Sequence, residues 1–144
     1  MSATANVPTH ALSAVATARP TVWKHGLGAA AAASVATTVL AAVASAAGVS
    51  FADHTGASIP VAGFAQVTFV LAMIGVGIAA VIARTARHPR SMFVKTAVGL
   101  TVVSLVPDAT FGFDVPSAIT LMALHIVAAV IVVPVLANRL TENR

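Results

Sequence analysis

VAGFAQVTFVLAMIGVGIAAVIA, residues 61–83, runs twenty-three positions without a charged side chain. At 1.5 Å of helical rise per residue the stretch reaches about 35 Å, enough to cross roughly 30 Å of hydrocarbon. A compact basic segment follows, in which Arg84, Arg87, Arg90 and Lys95 surround His88 and Pro89. This pattern predicts a membrane helix ending in a tight turn whose cations sit at headgroup level.

Three further apolar runs extend the reading. Residues 26–49 are rich in alanine and follow Trp23, Lys24 and His25, an aromatic and cationic boundary suited to an interface. Residues 92–106 form a short run in which Lys95 snorkels from the first turn and Pro107 marks the far end. Residues 117–137 form the fourth, with Pro134 near its inner end. Ala44, Ser45 and Ala46 resemble a signal-peptidase site, but the polar region before the run is unusually long for a signal peptide. The first run is therefore expected to be retained. Composition agrees with a lipid surround: 58% of the residues are hydrophobic and 8% charged, where a soluble domain carries about 25% charged residues. The fold class expected is all-α, a four-helix transmembrane bundle over residues 23–138. A flexible tail (1–22) and a short polar tail (139–144) flank it.

Charge sets the expected orientation. All eight Lys and Arg residues lie in the N-terminal segment, the middle loop or the C-terminus, whereas Asp53, Asp108 and Asp114 fall on the opposite side. Both termini are thus expected in the cytoplasm, in a multi-pass protein of the bacterial inner membrane. The pI near 11.3 does not signal nucleic acid, because no basic face with interleaved aromatics exists. With no cysteine, the chain has neither a disulfide framework nor thiolate chemistry.

Polar residues inside the spans carry the functional information, since hydrocarbon penalises them unless they are paired or wetted. His125 lies eight residues into the fourth run. Gln66 shares a helical stripe with Val70, Met73 and Gly77, and Thr101, Ser104 and Asp108 follow an i, i+3, i+7 spacing. Ser34, Thr38 and Ser45 add a polar side to the first run. If these stripes converge, they form a polar pocket in the outer half of the bundle, floored near His125 and roofed by Asp108, Asp53 and His54. Asp114, just before Val115 and Pro116, is expected to cap a helix. Histidines and carboxylates stand at no recognised ligand spacing, so neither a metal nor another cofactor is expected.

The segments Gly63–Gln66, Ser104–Asp108 and Leu121–His125 resemble those of a family of small actinobacterial four-span membrane proteins of unknown function, over about residues 22–138. The resemblance implies the topology and no reaction. Small integral-membrane terpene cyclases are similar in general layout only.

Two explanations of the polar cluster remain open at this level: mutual hydrogen bonding that holds the helices together, or handling of a substrate, proton or ion. In the enzymatic version a prenylated or polyene substrate enters from the bilayer and is cyclised or isomerised by acid catalysis. Asp108 is the acid, and His125 or Asp53 orients the group or accepts the proton. Gln66, Met73, Ser104, Phe111 and Met122 line the substrate site. The alternative is a non-enzymatic scaffold or accessory subunit, associating through Ala and Gly faces with a second copy or another membrane protein. A proton-coupled exporter would need a dimer.

Overall fold

The computed structural model describes residues 19–140. Most of the tail expected over residues 1–22, and the end of the one at 139–144, lie outside the described residues. Four helices make up the fold: α1 (Arg19–Ala46), α2 (Val61–Thr85), α3 (Pro89–Thr110) and α4 (Val115–Ala137). All four are long and apolar enough to cross a membrane, and there is no strand among the described residues, only an isolated bridge between Ala52 and Ser58.

The connections dictate the arrangement. Three residues, Ala86–His88, join α2 to α3, and Phe111–Asp114 join α3 to α4; links this short make sequential helices antiparallel neighbours. The helices close into a ring in which α1 packs on α2 and α4, and α3 packs on α4 and α2. One end of the ring holds the start of α1, the α2–α3 turn and the end of α4, and with them Lys24, Arg84, Arg87, Arg90, Lys95 and Arg139. The other end holds Asp53, Asp108 and Asp114, with no Lys or Arg among the described residues.

Two buried clusters fill the bundle. The larger, in the basic half, gathers Val22, Val76, Ile82, Phe93, Val132 and Leu136 around the alanines of α1; the smaller, near the acidic end, joins Ala41, Phe51, Phe64, Leu121 and Leu124. Outside them, valines and isoleucines such as Val35, Val81, Val103, Ile119 and Val130 stand exposed all round the barrel of helices. That continuous apolar belt is the surface of a protein whose solvent is lipid.

Six boundaries shift by two to seven residues from those read in the sequence, most at the start of α1 and the end of α3. α1 begins at Arg19, before the interfacial Trp23, so its first turn stands at headgroup level. α3 runs through Pro107 to Thr110. Proline removes only its own N–H and leaves its carbonyl able to accept, and the Phe111 N–H bonds to the Pro107 carbonyl at 2.9 Å. The extra turn carries Asp108 on the helix instead of on a loop.

Small residues let the α1 backbone approach its neighbours. A Cβ placed on Gly26 would lie 2.6 Å from Val76 Cγ2, and Val76 is fully buried, so neither side can yield. Gly28, two positions on and therefore on the opposite side of α1, meets nothing within 4 Å. Gly26→Ala is therefore expected to destabilise the bundle by about 1–3 kcal/mol, and Gly28→Ala to be neutral or slightly stabilising. Denaturant unfolding of both variants in detergent checks this; equal midpoints would contradict the close α1–α2 approach.

Candidate functional site

Hydroxyl groups in the spans have a local remedy for the absence of water: they donate to the carbonyl one turn back in their own helix. Ser34 bonds to the Ala30 carbonyl, Thr38 to Ser34, Thr101 to Ala97 and Ser104 to Thr101, at 2.7–2.9 Å. Thr37 bonds to the Ala33 carbonyl and also spans to Thr68 Oγ1 on α2 at 3.1 Å. A carboxylate has no such remedy. It needs donors, and within a helix every backbone N–H is already committed.

Asp108 is in that position. It is 7% exposed, on the inward face of α3, and its partner comes from the next helix: Oδ2 lies 2.9 Å from His125 Nδ1 on α4. The same Nδ1 lies 3.0 Å from the Leu121 carbonyl, one turn back on α4. A carbonyl oxygen can only accept, so Nδ1 carries the proton, and its N–H is aligned on Leu121. Asp108 Oδ2 is thereby left at contact distance without an aligned donor, the one fully buried side-chain N or O atom so left among the described residues. Nε2 is the second ring nitrogen of a side chain that stays one-third exposed.

Between α3 and α4 an open groove of about 320 Å³ faces outward, lined by Val98, Thr101, Ile126, Ala129, Val133 and Pro134 among others. Its walls are apolar, and Thr101, its one hydroxyl, is spent on Ala97. Ile126 adjoins His125 in the chain, and Thr101 is seven residues, about 10 Å, along α3 from Asp108. The histidine–carboxylate pair thus stands beyond the acidic-end limit of an apolar groove open to lipid.

The remaining sequence-derived candidates are dispersed. Ser104 is half-buried one turn before Asp108 on the same face, and Met122 is half-buried on α4. Met73 packs against the larger cluster in the basic half. Gln66 is exposed: α2 turns Phe64, Val76, Ala79 and Ile82 inward, and a residue two positions from Phe64 lies on the opposite side of a helix. Phe111 is exposed just past α3, and its carbonyl accepts from His54 Nδ1 at 3.2 Å. Asp53 is occupied by its own loop, Oδ1 accepting from the Thr55 N–H (2.8 Å), the Thr55 hydroxyl (2.6 Å) and the Ala57 N–H (3.1 Å). The expected single pocket with Asp53 and His54 as its roof is replaced by a direct pair between Asp108 and His125. Among the described residues, no three His, Asp or Glu side chains gather as a metal site.

Sequence reasoning passed over Ser117 and Phe51. Ser117 is fully buried; its Oγ accepts from the Phe51 N–H at 3.0 Å, and its own N–H donates to Asp114 Oδ1 at 3.0 Å. Asp114 is the helix cap expected of it. Phe51 has φ of +51°, rare for a residue with a side chain. It is held there by burial against Phe64, with ring centroids 5.0 Å apart. The local signal for this latch was only the Asp114-to-Ser117 capping spacing, which says nothing about a partner sixty-six residues away.

The chain belongs to a family of unknown function (DUF6069), whose model matches residues 17–142. No curated protein and no solved structure matches it.

The two loops at the acidic end carry an acid sensitivity. The Thr55 hydroxyl, with two backbone donors, holds the Asp53 carboxyl below the usual carboxylate range, and the Ser117 hydroxyl and N–H do the same for Asp114. A depressed folded value means that the stabilisation is complete above the unfolded pKa of about 3.9 and is lost as pH falls through the folded one. The thermal midpoint is expected to drop between about pH 5 and about pH 2, with a smaller drop in the Asp53→Asn/Asp114→Asn double variant, which also starts lower at neutral pH. A wild-type midpoint flat over that interval would contradict the assignment.

Proposed function

We propose that this four-helix membrane protein is a proton-transfer catalyst that isomerises a lipophilic, bilayer-borne substrate at the Asp108–His125 pair. The observation that carries the reading is the 2.9 Å contact between a buried carboxylate and a partly exposed imidazole, in helices where hydroxyls such as Ser34, Thr38, Thr101 and Ser104 are satisfied by their own backbone. Such a pair is costly in hydrocarbon and has no packing advantage over apolar residues of the same size.

Accessibility supports exchanging the roles expected from sequence. Asp108 Oδ2 is sealed, whereas the His125 ring is one-third exposed, so His125 meets the substrate and Asp108 positions it. With Nδ1–H held by the Leu121 carbonyl, Nε2 is the working atom. It removes a proton from carbon adjacent to an unsaturated carbonyl, breaking C–H and forming N–H. It then returns the proton to the γ carbon, the far end of the original double bond, as the double bond moves into conjugation with the carbonyl. No oxidant is needed. Imidazole is too weak an acid to protonate an isolated alkene, which favours isomerisation of an activated double bond over alkene-initiated cyclisation. The α3–α4 groove takes the apolar tail. A scaffold role has no comparable support, because Ala29, Ala30, Ala33 and Ala41 of α1 are buried within the chain itself.

A long-chain β,γ-unsaturated ketone, incubated with the purified protein in deuterated water, is expected to isomerise and gain deuterium. Positioned acid–base catalysis contributes about 10²–10⁴-fold; His125→Ala should lose a factor in that range and Asp108→Asn a smaller one, with helicity retained in both. Turnover no faster than in empty detergent, or full activity in folded His125→Ala, would sink the proposal.

The charge-segregated ends further support a bacterial cell-membrane setting with the basic end and both termini in the cytoplasm. The chain lacks cysteine, so single substitutions report topology. A membrane-impermeant maleimide applied to intact cells is expected to label Ser50→Cys and to reach Ser91→Cys only after permeabilisation. The reverse pattern would invert the orientation.

A further inference from the structure

We infer that the basic end of the bundle binds the phosphate groups of anionic phospholipids in its own leaflet. Lys24, Arg84, Arg87, Arg90, Lys95 and Arg139 are all exposed there. Cations predominate at this end: among the described residues the acids Asp53, Asp108 and Asp114 all belong to the opposite end, and the fourth acid of the sequence, Glu142, lies outside the described residues. Arg90 Nη2 reaches Asn138 Oδ1 only at a long 3.5 Å. Arginine presents a planar fork of donors matched to phosphate oxygens, and three arginines fall within seven residues across the tight α2–α3 turn.

The place of this cluster selects the partner. It lies where apolar helices meet headgroups, and the helices beneath it are too short and too closely joined to carry it clear of the membrane surface. A soluble acidic protein would have to displace that surface, whereas a lipid phosphate is already present at high local concentration. Attraction of this kind strengthens the association by about fivefold per cation near an anionic surface.

Trp23, the chain's single tryptophan, is exposed beside Lys24 at the same end and serves as the native reporter. The full-length protein is placed in phosphatidylcholine nanodiscs containing a minor fraction of phosphatidylglycerol, with brominated acyl chains carried by one lipid or the other. Brominated phosphatidylglycerol is expected to quench Trp23 several-fold more strongly per mole than brominated phosphatidylcholine. That several-fold excess should fall to near parity in the Arg84→Gln/Arg87→Gln/Arg90→Gln variant, whose fold is checked by helicity. Its persistence when sodium phosphate replaces sodium chloride at equal ionic strength would assign the source as lipid. Equal quenching by the two lipids in the wild type, an excess unchanged in the folded triple variant, or selective loss of the excess to inorganic phosphate would each overturn the inference.

Discussion

A polar group in hydrocarbon must find its partner inside the protein, and the structure follows from how each group does so. Hydroxyls solve the problem alone by donating to the preceding turn, as Ser34, Thr38 and Ser104 do. Such residues are therefore silent about which helices touch. Thr37 adds a cross-helix bond to Thr68, joining α1 to α2 at mid-depth. Asp108 alone has no local solution, because a helix offers a carboxylate no free donor. Its dependence on His125 couples α3 to α4 near the acidic end, beside a groove that opens to lipid.

The bundle is built in two halves with different logic. In the basic half, alanine and glycine on α1 bring backbones together and large side chains come from the other helices, so packing is dense and polar chemistry is absent. In the acidic half, the fourteen-residue α1–α2 connection is folded back over the bundle and pinned by Phe51, Ser117 and Asp114. The left-handed backbone of Phe51 is tolerated because burial, a ring contact and a hydrogen bond all favour the same position. That latch covers the end of the molecule at which the histidine–carboxylate pair sits.

Charge divides the same two halves. The described cations are exposed at one end, whereas the acids at the other are each engaged: Asp53 by its loop, Asp114 by a helix cap, Asp108 by His125. The two ends are thus chemically unlike: one presents exposed cations, and the other holds its charge in fixed geometry.

Residue type and order alone determined the membrane location, the four helices, the separation of charge and the capping role of Asp114. These depend on local, additive quantities: apolar length, the count of cations per loop and a spacing within one turn. Even there, Pro107 was read as an end because a missing N–H is visible in sequence, whereas the carbonyl that lets α3 continue is not. Tertiary structure alone decided that Asp108 meets His125, that Gln66 faces outward, that Asp53 serves its own loop, and that the groove lies between α3 and α4. Those outcomes hinge on how each helix is rotated about its axis. That rotation is set by the packing of Phe64, Val76 and the α1 alanines against distant partners, a cooperative fit that no stretch of sequence contains by itself.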